Sequence, residues 1–214
     1  MAFGMKLGLS KQEASTLARL STPSKIQDFI NAMPPNFEPE GDTCLSAREA
    51  LKQNRCHCIE AAFIAAAALW INGDPPLVMD LRGKNDFDHV VAVFRRNGAW
   101  GAISKSNHLW HRWRDPVYRS LRELTMSYFN EYLNSPPTKK TLWEFSRPFD
   151  LRRADKNIWL LGEEDCWEVA LKLDSLPHTR LLTNAQAKSL RKLDAIQVRA
   201  DALHDFKPPK KAKS

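Results

Sequence analysis

The sequence predicts helices and strands mixed in one domain around a single buried helix, and three stretches carry that expectation. Ile59 to Ile71 is alanine-rich and apolar nearly all round, which suits a helix enclosed by a domain rather than one lying on its surface. The apolar runs His89 to Arg95 and Ala99 to Ser104 flank Asn97-Gly98, and Asn-Gly between apolar runs is the strongest short-range signal of a β-hairpin. Leu77 to Leu81, after the turn-forming Gly73-Asp74-Pro75-Pro76, reads as a further strand. With 214 residues, 43% hydrophobic content and seven tryptophans, the chain is long enough to enclose such a helix in one core.

Ahead of the central helix, Lys11 to Leu20 is read as a short helix. Ser24 to Met33 is read as an amphipathic one, with Ile26, Phe29, Ile30 and Met33 at helical spacing and Pro34-Pro35 as its stop. A polar loop over 36–42 leads to Ser46-Ala47-Arg48-Glu49, a capping-box pattern that opens a helix from Ala47 to Gln53. Asn54 closes it, and Arg55 to His57 form the elbow into the central helix.

Beyond the hairpin, Asp115-Pro116 supplies a cap and a first-turn proline for a predicted helix from Pro116 to Leu133, with Val117, Leu121, Leu124, Tyr128 and Tyr132 on its buried stripe. A strand is predicted around Leu142 to Phe145. A helix follows over Glu163 to Leu173, its Cys166, Val169, Ala170 and Leu173 facing inward. Residues 184–204 are read as one amphipathic helix carrying Leu190, Leu193, Ile196, Ala200 and Leu203, and the basic tail over 205–214 is expected to be disordered.

Composition narrows the function classes. No run of about 18 apolar residues occurs and the first residues lack a basic-then-apolar leader, so a soluble cytoplasmic protein with no membrane partner is expected. Four cysteines, Cys44, Cys56, Cys58 and Cys166, are too few for a disulfide scaffold and are expected as thiols. The net charge of +7 is compatible with a nucleic-acid partner, but Lys207, Lys210, Lys211 and Lys213 in the tail supply part of it, so a basic nucleic-acid-binding protein is the weakest of the readings.

The candidate chemistry starts at Cys58. Unpaired N–H groups and the positive end of the helix dipole at a helix start favour a thiolate, the nucleophilic form. A two-residue turn at Asn97-Gly98 sets Arg96 opposite Ala99, and counting outward pairs Val91 with Ser104 and His89 with Ser106. His89, Val91, Ser104 and Ser106 then share one sheet face. Cys58 with His89 is a candidate pair in which the imidazole takes the thiol proton, the sulfur attacks an acyl carbon, and a second nucleophile resolves the thioester. A cysteine in a core helix equally needs no chemistry to explain it. Cys56 is the rival nucleophile. Cys56-His57-Cys58 with His89 has the residue types of a metal site, but C-x-C is tight for two ligands of one tetrahedral ion, and neither metal nor cofactor is expected.

The ordered set from Cys58 to Ser104 resembles the transglutaminase-like superfamily, the papain-related cysteine enzymes and acyl transferases. Cys58 precedes Glu60-Ala61-Ala62, Gly73 closes the helix, His89 opens a strand, Gly98 marks the turn and Trp100 follows; the match covers residues 58–104, roughly a quarter of the chain. The resemblance implies an α+β papain-like fold, its nucleophile-bearing central helix packed on an antiparallel sheet, with residues 1–183 as the domain. It implies a cysteine protease, amidase or acyl transferase acting on a peptide, protein or small amide or ester, with Cys58 as nucleophile and His89 as general base and acid. It departs at the third position: where the family has an Asp, four residues after the Trp, this chain has Ser104, which can orient an imidazole but brings no charge. Asn107 is an alternative orienter, Asp86 and Asp88 are alternative sources of charge, and Gln53 resembles the family's oxyanion donor. A noncatalytic member that binds a peptide or partner protein is the other reading of the missing Asp.

Overall fold

The computed structural model describes residues 1–39 and 41–207. Short helices come first: α1 (Ala2–Lys6), α2 (Lys11–Arg19), α3 (Pro23–Ala32) and α4 (Ala47–Gln53), followed by the central α5 (Cys58–Ile71). Serine or threonine side chains cap α2, α3 and α4, each accepting from a backbone N–H of the first turn. Asn54 ends α4 in the left-handed region at φ 51°, so the chain doubles back within four residues to start α5. From Ile59 to Leu69 every residue of α5 is buried, as an apolar surface on all sides requires.

The strands are β1 (Leu77–Gly83), β2 (His89–Arg96), β3 (Ala99–Ile103), β4 (Arg114–Tyr118), β5 (Leu142–Ser146), β6 (Phe149–Asp150) and β7 (His178–Arg180). They form one antiparallel sheet in the order β4-β3-β2-β1-β5-β7, with β6 also paired to β1. The chain is thus α+β, with α5 laid against β2. The period-2 alternation sorts the strands: Val78, Val90, Ala92, Phe94 and Ile103 join α5 in one core, whereas Met79, Leu81, Val91, Val93 and Ala102 join Leu124, Tyr128 and Tyr132 in the other. The hairpin has the predicted register, Arg96 opposite Ala99, with Asn97 and Gly98 both at positive φ as a type I′ turn demands.

Three predicted helices are corrected. The helix expected over 116–133 is shorter, α6 (Leu121–Tyr128), with Ser120 as its cap and Glu123 in its first turn, while Asp115-Pro116 lies in β4. Strand β4 pairs with β3 alone, and an edge strand tolerates proline because one side needs no donor. Val117 is accordingly exposed rather than on a buried stripe. The helices α7 (Lys156–Trp159) and α8 (Trp167–Asp174) follow, the latter beginning after Cys166 instead of at Glu163.

The single helix expected over 184–204 is two pieces, α9 (Asn184–Lys188) and α10 (Ala195–Asp201). Each begins with its own capping box, Thr183 with Gln186 and Asp194 with Gln197, and Ile196 and Leu203 are exposed. Without a surface to cover, apolar spacing alone does not sustain a long helix. The tail expected to be disordered from 205 is docked at its start: Asp205 pairs with Arg112 at 2.6 Å, and Asn107 exchanges hydrogen bonds with the Phe206 backbone. Residues 208–214 lie outside the described residues. No described helix is long and apolar enough to cross a membrane.

Phe63 is fully buried in α5, its ring 6.2 Å from that of Trp159. Phe63→Ala is expected to cost about 3–5 kcal/mol, since both transfer energy and a cavity are involved. Urea denaturation of the purified variant checks this, and a loss below about 1 kcal/mol would contradict the burial described for α5.

Candidate active site

The elbow between α4 and α5 separates the two neighbouring cysteines. Cys56 donates its N–H to the Pro34 carbonyl and is fully buried, and burial pushes its thiol up to about 12. Cys58, two residues on, opens α5 and is partly accessible. Its backbone N–H has no acceptor among the described residues, as expected at a helix start, and is available to a developing oxyanion. Burial alone pushes the Cys58 thiol up, but hydrogen bonding from His57 and His89 and the charge of the two rings bring it well below the usual thiol value.

Three clefts meet at Cys58. One of 260 Å³ extends past His89 to Trp110, His111 and Tyr132. A second of 320 Å³ runs past His57 to Asn107, His108 and His204. The third, of 440 Å³, passes His57 toward Asp80, Trp167 and Leu173. The thiol therefore sits where an extended substrate can pass on either side.

His89 is the first residue of β2. Strand parity groups it with Val91 and Val93, on the face away from α5, but the sheet ends there and the ring and Cys58 line the same cleft. Its Nε2 lies 2.7 Å from Ser104 Oγ. That hydroxyl has one hydrogen, donated to the His111 carbonyl, so the oxygen accepts from His89 Nε2–H. Nε2 therefore carries hydrogen, and Nδ1 is the nitrogen left to exchange a proton in the cleft that His89 shares with Cys58. Ser104 is itself clamped: Gln27 in α3 accepts from the Ser104 N–H at 2.9 Å and donates to its carbonyl at 2.8 Å. Sequence reasoning missed Gln27, which shows only as one polar position in an amphipathic helix.

The structure thus brings together Cys58, His89 and Ser104, and does not bring in the other candidates. Gln53 is exposed, engaged with Arg55 and Glu49, and lines none of the three clefts. The reason is the tight Asn54 turn, which leaves Gln53 on the solvent side of the elbow. Asn107 is committed to the Phe206 backbone, not to His89. Asp86 accepts from Thr141 and Asp88 from the Gly83 N–H, so neither carboxylate hydrogen-bonds to His89. Burial and the charge of Asp80 push Asp88 up to about 6.

Around His89 the surroundings are aromatic. The His111 ring is 5.1 Å from His89 and 4.6 Å from Tyr132, whose hydroxyl donates to the Leu81 and Phe87 carbonyls. Burial and then the nearby charge of His89 hold His111 well below the ordinary histidine value, so it is a neutral wall.

Two histidine–carboxylate contacts were not foreseen. His178 and Asp80 meet at 2.9 Å under the third cleft, and burial raises the Asp80 carboxyl despite that partner. His57, next to the thiol, has Nε2 at 2.9 Å from the Thr43 carbonyl and 3.3 Å from Glu60 Oε1. The sequence did carry a signal for the second: Glu60 is the one charged residue in the apolar run of α5. No protein-family model matches the chain, and no curated protein matches its sequence.

The thiolate absorbance of the wild type minus that of Cys58→Ala is expected to persist on acidification below about 8.5, the ordinary thiol midpoint, and to vanish only as pH falls through the depressed Cys58 value. A difference spectrum that titrates at or above about 8.5 would mark Cys58 as an ordinary thiol.

Proposed function

We propose that this chain is a transglutaminase-like cysteine enzyme of papain-like architecture, hydrolysing or transferring an acyl group from an amide or ester through a thioester on Cys58. The observation that carries the reading is the Ser104 hydroxyl, whose only hydrogen is given to the His111 carbonyl, so that it must accept from His89 Nε2 and leave Nδ1 as the proton-exchanging nitrogen of a ring that shares a cleft with Cys58. A cysteine buried merely for packing needs no oriented imidazole beside it.

In the proposed cycle the Cys58 sulfur attacks the acyl carbon, and the carbonyl oxygen takes up negative charge toward the Cys58 N–H at the start of α5. His89, protonated at Nδ1, gives its proton to the leaving nitrogen or oxygen as the C–N or C–O bond breaks. The thioester remains. Water then gives a proton to Nδ1 as its oxygen attacks the thioester carbon, and the C–S bond breaks to return the thiolate and a protonated His89. An amine in place of water gives transfer instead of hydrolysis. Ser104 holds the ring throughout, adding direction without charge. The free thiol this chemistry requires suits a reducing, cytoplasmic setting.

The test uses p-nitrophenyl acetate and a panel of N-acyl amides with the full chain. Intact mass should show an acetyl adduct on the wild type that is absent in Cys58→Ala, and His89→Ala should lower turnover by about 10²–10⁴-fold. Ser104→Ala removes one orienting hydrogen bond, of about 0.5–1.5 kcal/mol, and should lower turnover about 2- to 13-fold. Absence of both adduct and Cys58-dependent turnover would leave a noncatalytic binding protein.

A further inference from the structure

Glu60 is the sole charged side chain in α5 and has no exposure to water. A carboxylate in that position is tolerated only when fully hydrogen-bonded or paired. It accepts from Asn36 Nδ2, from Thr43 Oγ1 at 3.1 Å, and from the backbone N–H groups of Leu45 and His57, each at 2.9 Å. The His57 ring is added to this set at 3.3 Å.

The geometry of that ring fixes its protons. A carbonyl oxygen is only an acceptor, so His57 Nε2, at 2.9 Å from Thr43 O, must carry hydrogen. Glu60 and, at 3.5 Å, Glu38 stand on that nitrogen as well. Cys58 is the next residue in the chain and lines both of the clefts that His57 lines. An imidazole with two carboxylates at one nitrogen and a thiolate in the same clefts is favoured with both nitrogens protonated. Burial works against that charge, but hydrogen bonding and charge from Cys58, then the charge of Glu60, raise His57 to about 9. The other ionisable groups around its two clefts are Cys56, Lys105, His108 and His204 on one side and Asp42, Cys44, Asp80, Asp88 and Asp174 on the other. His57 lines the second and third clefts and His89 the first, so the two rings approach Cys58 from different clefts.

We propose that His57 and Glu60 are a positioning pair that holds Cys58 as a thiolate and supplies the negative charge that Ser104 lacks. The proposal rests on Cys58 being the nucleophile. It divides the labour: His57, backed by the Glu60 carboxylate, stabilises the sulfur anion, while His89, oriented by a neutral hydroxyl, moves the proton. In a single-imidazole site one ring does both, and thiolate and turnover are lost together.

The experiment is the pH dependence of iodoacetamide alkylation at Cys58, followed by mass, in the wild type, His57→Gln and His89→Gln, with p-nitrophenyl acetate turnover measured in parallel. His57→Gln is expected to raise the alkylation midpoint toward the ordinary thiol value, and each pH unit of rise lowers the rate below the midpoint by about tenfold. His89→Gln is expected to keep a low midpoint and lose turnover. Glu60→Gln should move the midpoint in the same direction as His57→Gln; because this carboxylate is buried, circular dichroism decides whether that variant is folded, and His57→Asn serves as the second probe if it is not. The inference is overturned if loss of His57 raises the midpoint no more than loss of His89 does. If the midpoint depends on His57 but no Cys58-dependent turnover is found, the pair stands and the enzymatic reading falls.

Discussion

A carboxylate that cannot reach water must be surrounded by donors, and satisfying Glu60 arranges much of the chain around Cys58. Four residues from three segments contribute: Asn36 from the loop after α3, Thr43 and Leu45 from the strap before α4, and His57 from the elbow. Each is pinned to the first turn of α5, so the segments that wall the second and third clefts are fixed by the same group that backs His57. Removing the charge would strand several donors at once, and unsatisfied buried donors are among the costliest defects a core can carry.

The opposite wall is delivered by the sheet. Strand β2 begins at His89 and β3 ends at Ile103, so the imidazole and the serine that holds it stand just where the ladder stops. Ser104 is over-determined: its backbone is gripped by Gln27 from α3, and its hydroxyl lies between His89 and the His111 carbonyl. His111 takes a positive φ of 60°, which non-glycine residues seldom adopt, and its carbonyl is the one that Ser104 engages. Strained backbone beside a reactive group is a common feature of functional sites, where the surrounding packing enforces it.

Local rules read the parts that local chemistry decides. Asn97-Gly98 sets the register of the hairpin, Ser46 and Asn54 bound α4, and the unbroken apolar surface of α5 places it in the core. Pro116 misled because a proline at a helix start and a proline on an edge strand look alike in sequence, and only pairing with β3 alone distinguishes them. Residues 184–204 misled because their apolar spacing runs on across the capping box at Asp194-Gln197, which begins a second helix within the segment.

The sequence by itself determined the central helix that Cys58 opens and the hairpin that sets His89 and Ser104 on one face, since these follow from periodicity and a two-residue turn; strand parity alone would turn His89 away from that helix. Only the tertiary structure decided which neighbours act on them. Glu60 gains Asn36 from 24 positions away, Gln27 reaches Ser104 across 77 positions, and Asn107 is taken by Phe206 from 99 positions away. Contacts over such separations leave no period in the chain; they exist because buried charges and backbone groups must find partners, whichever segment supplies them.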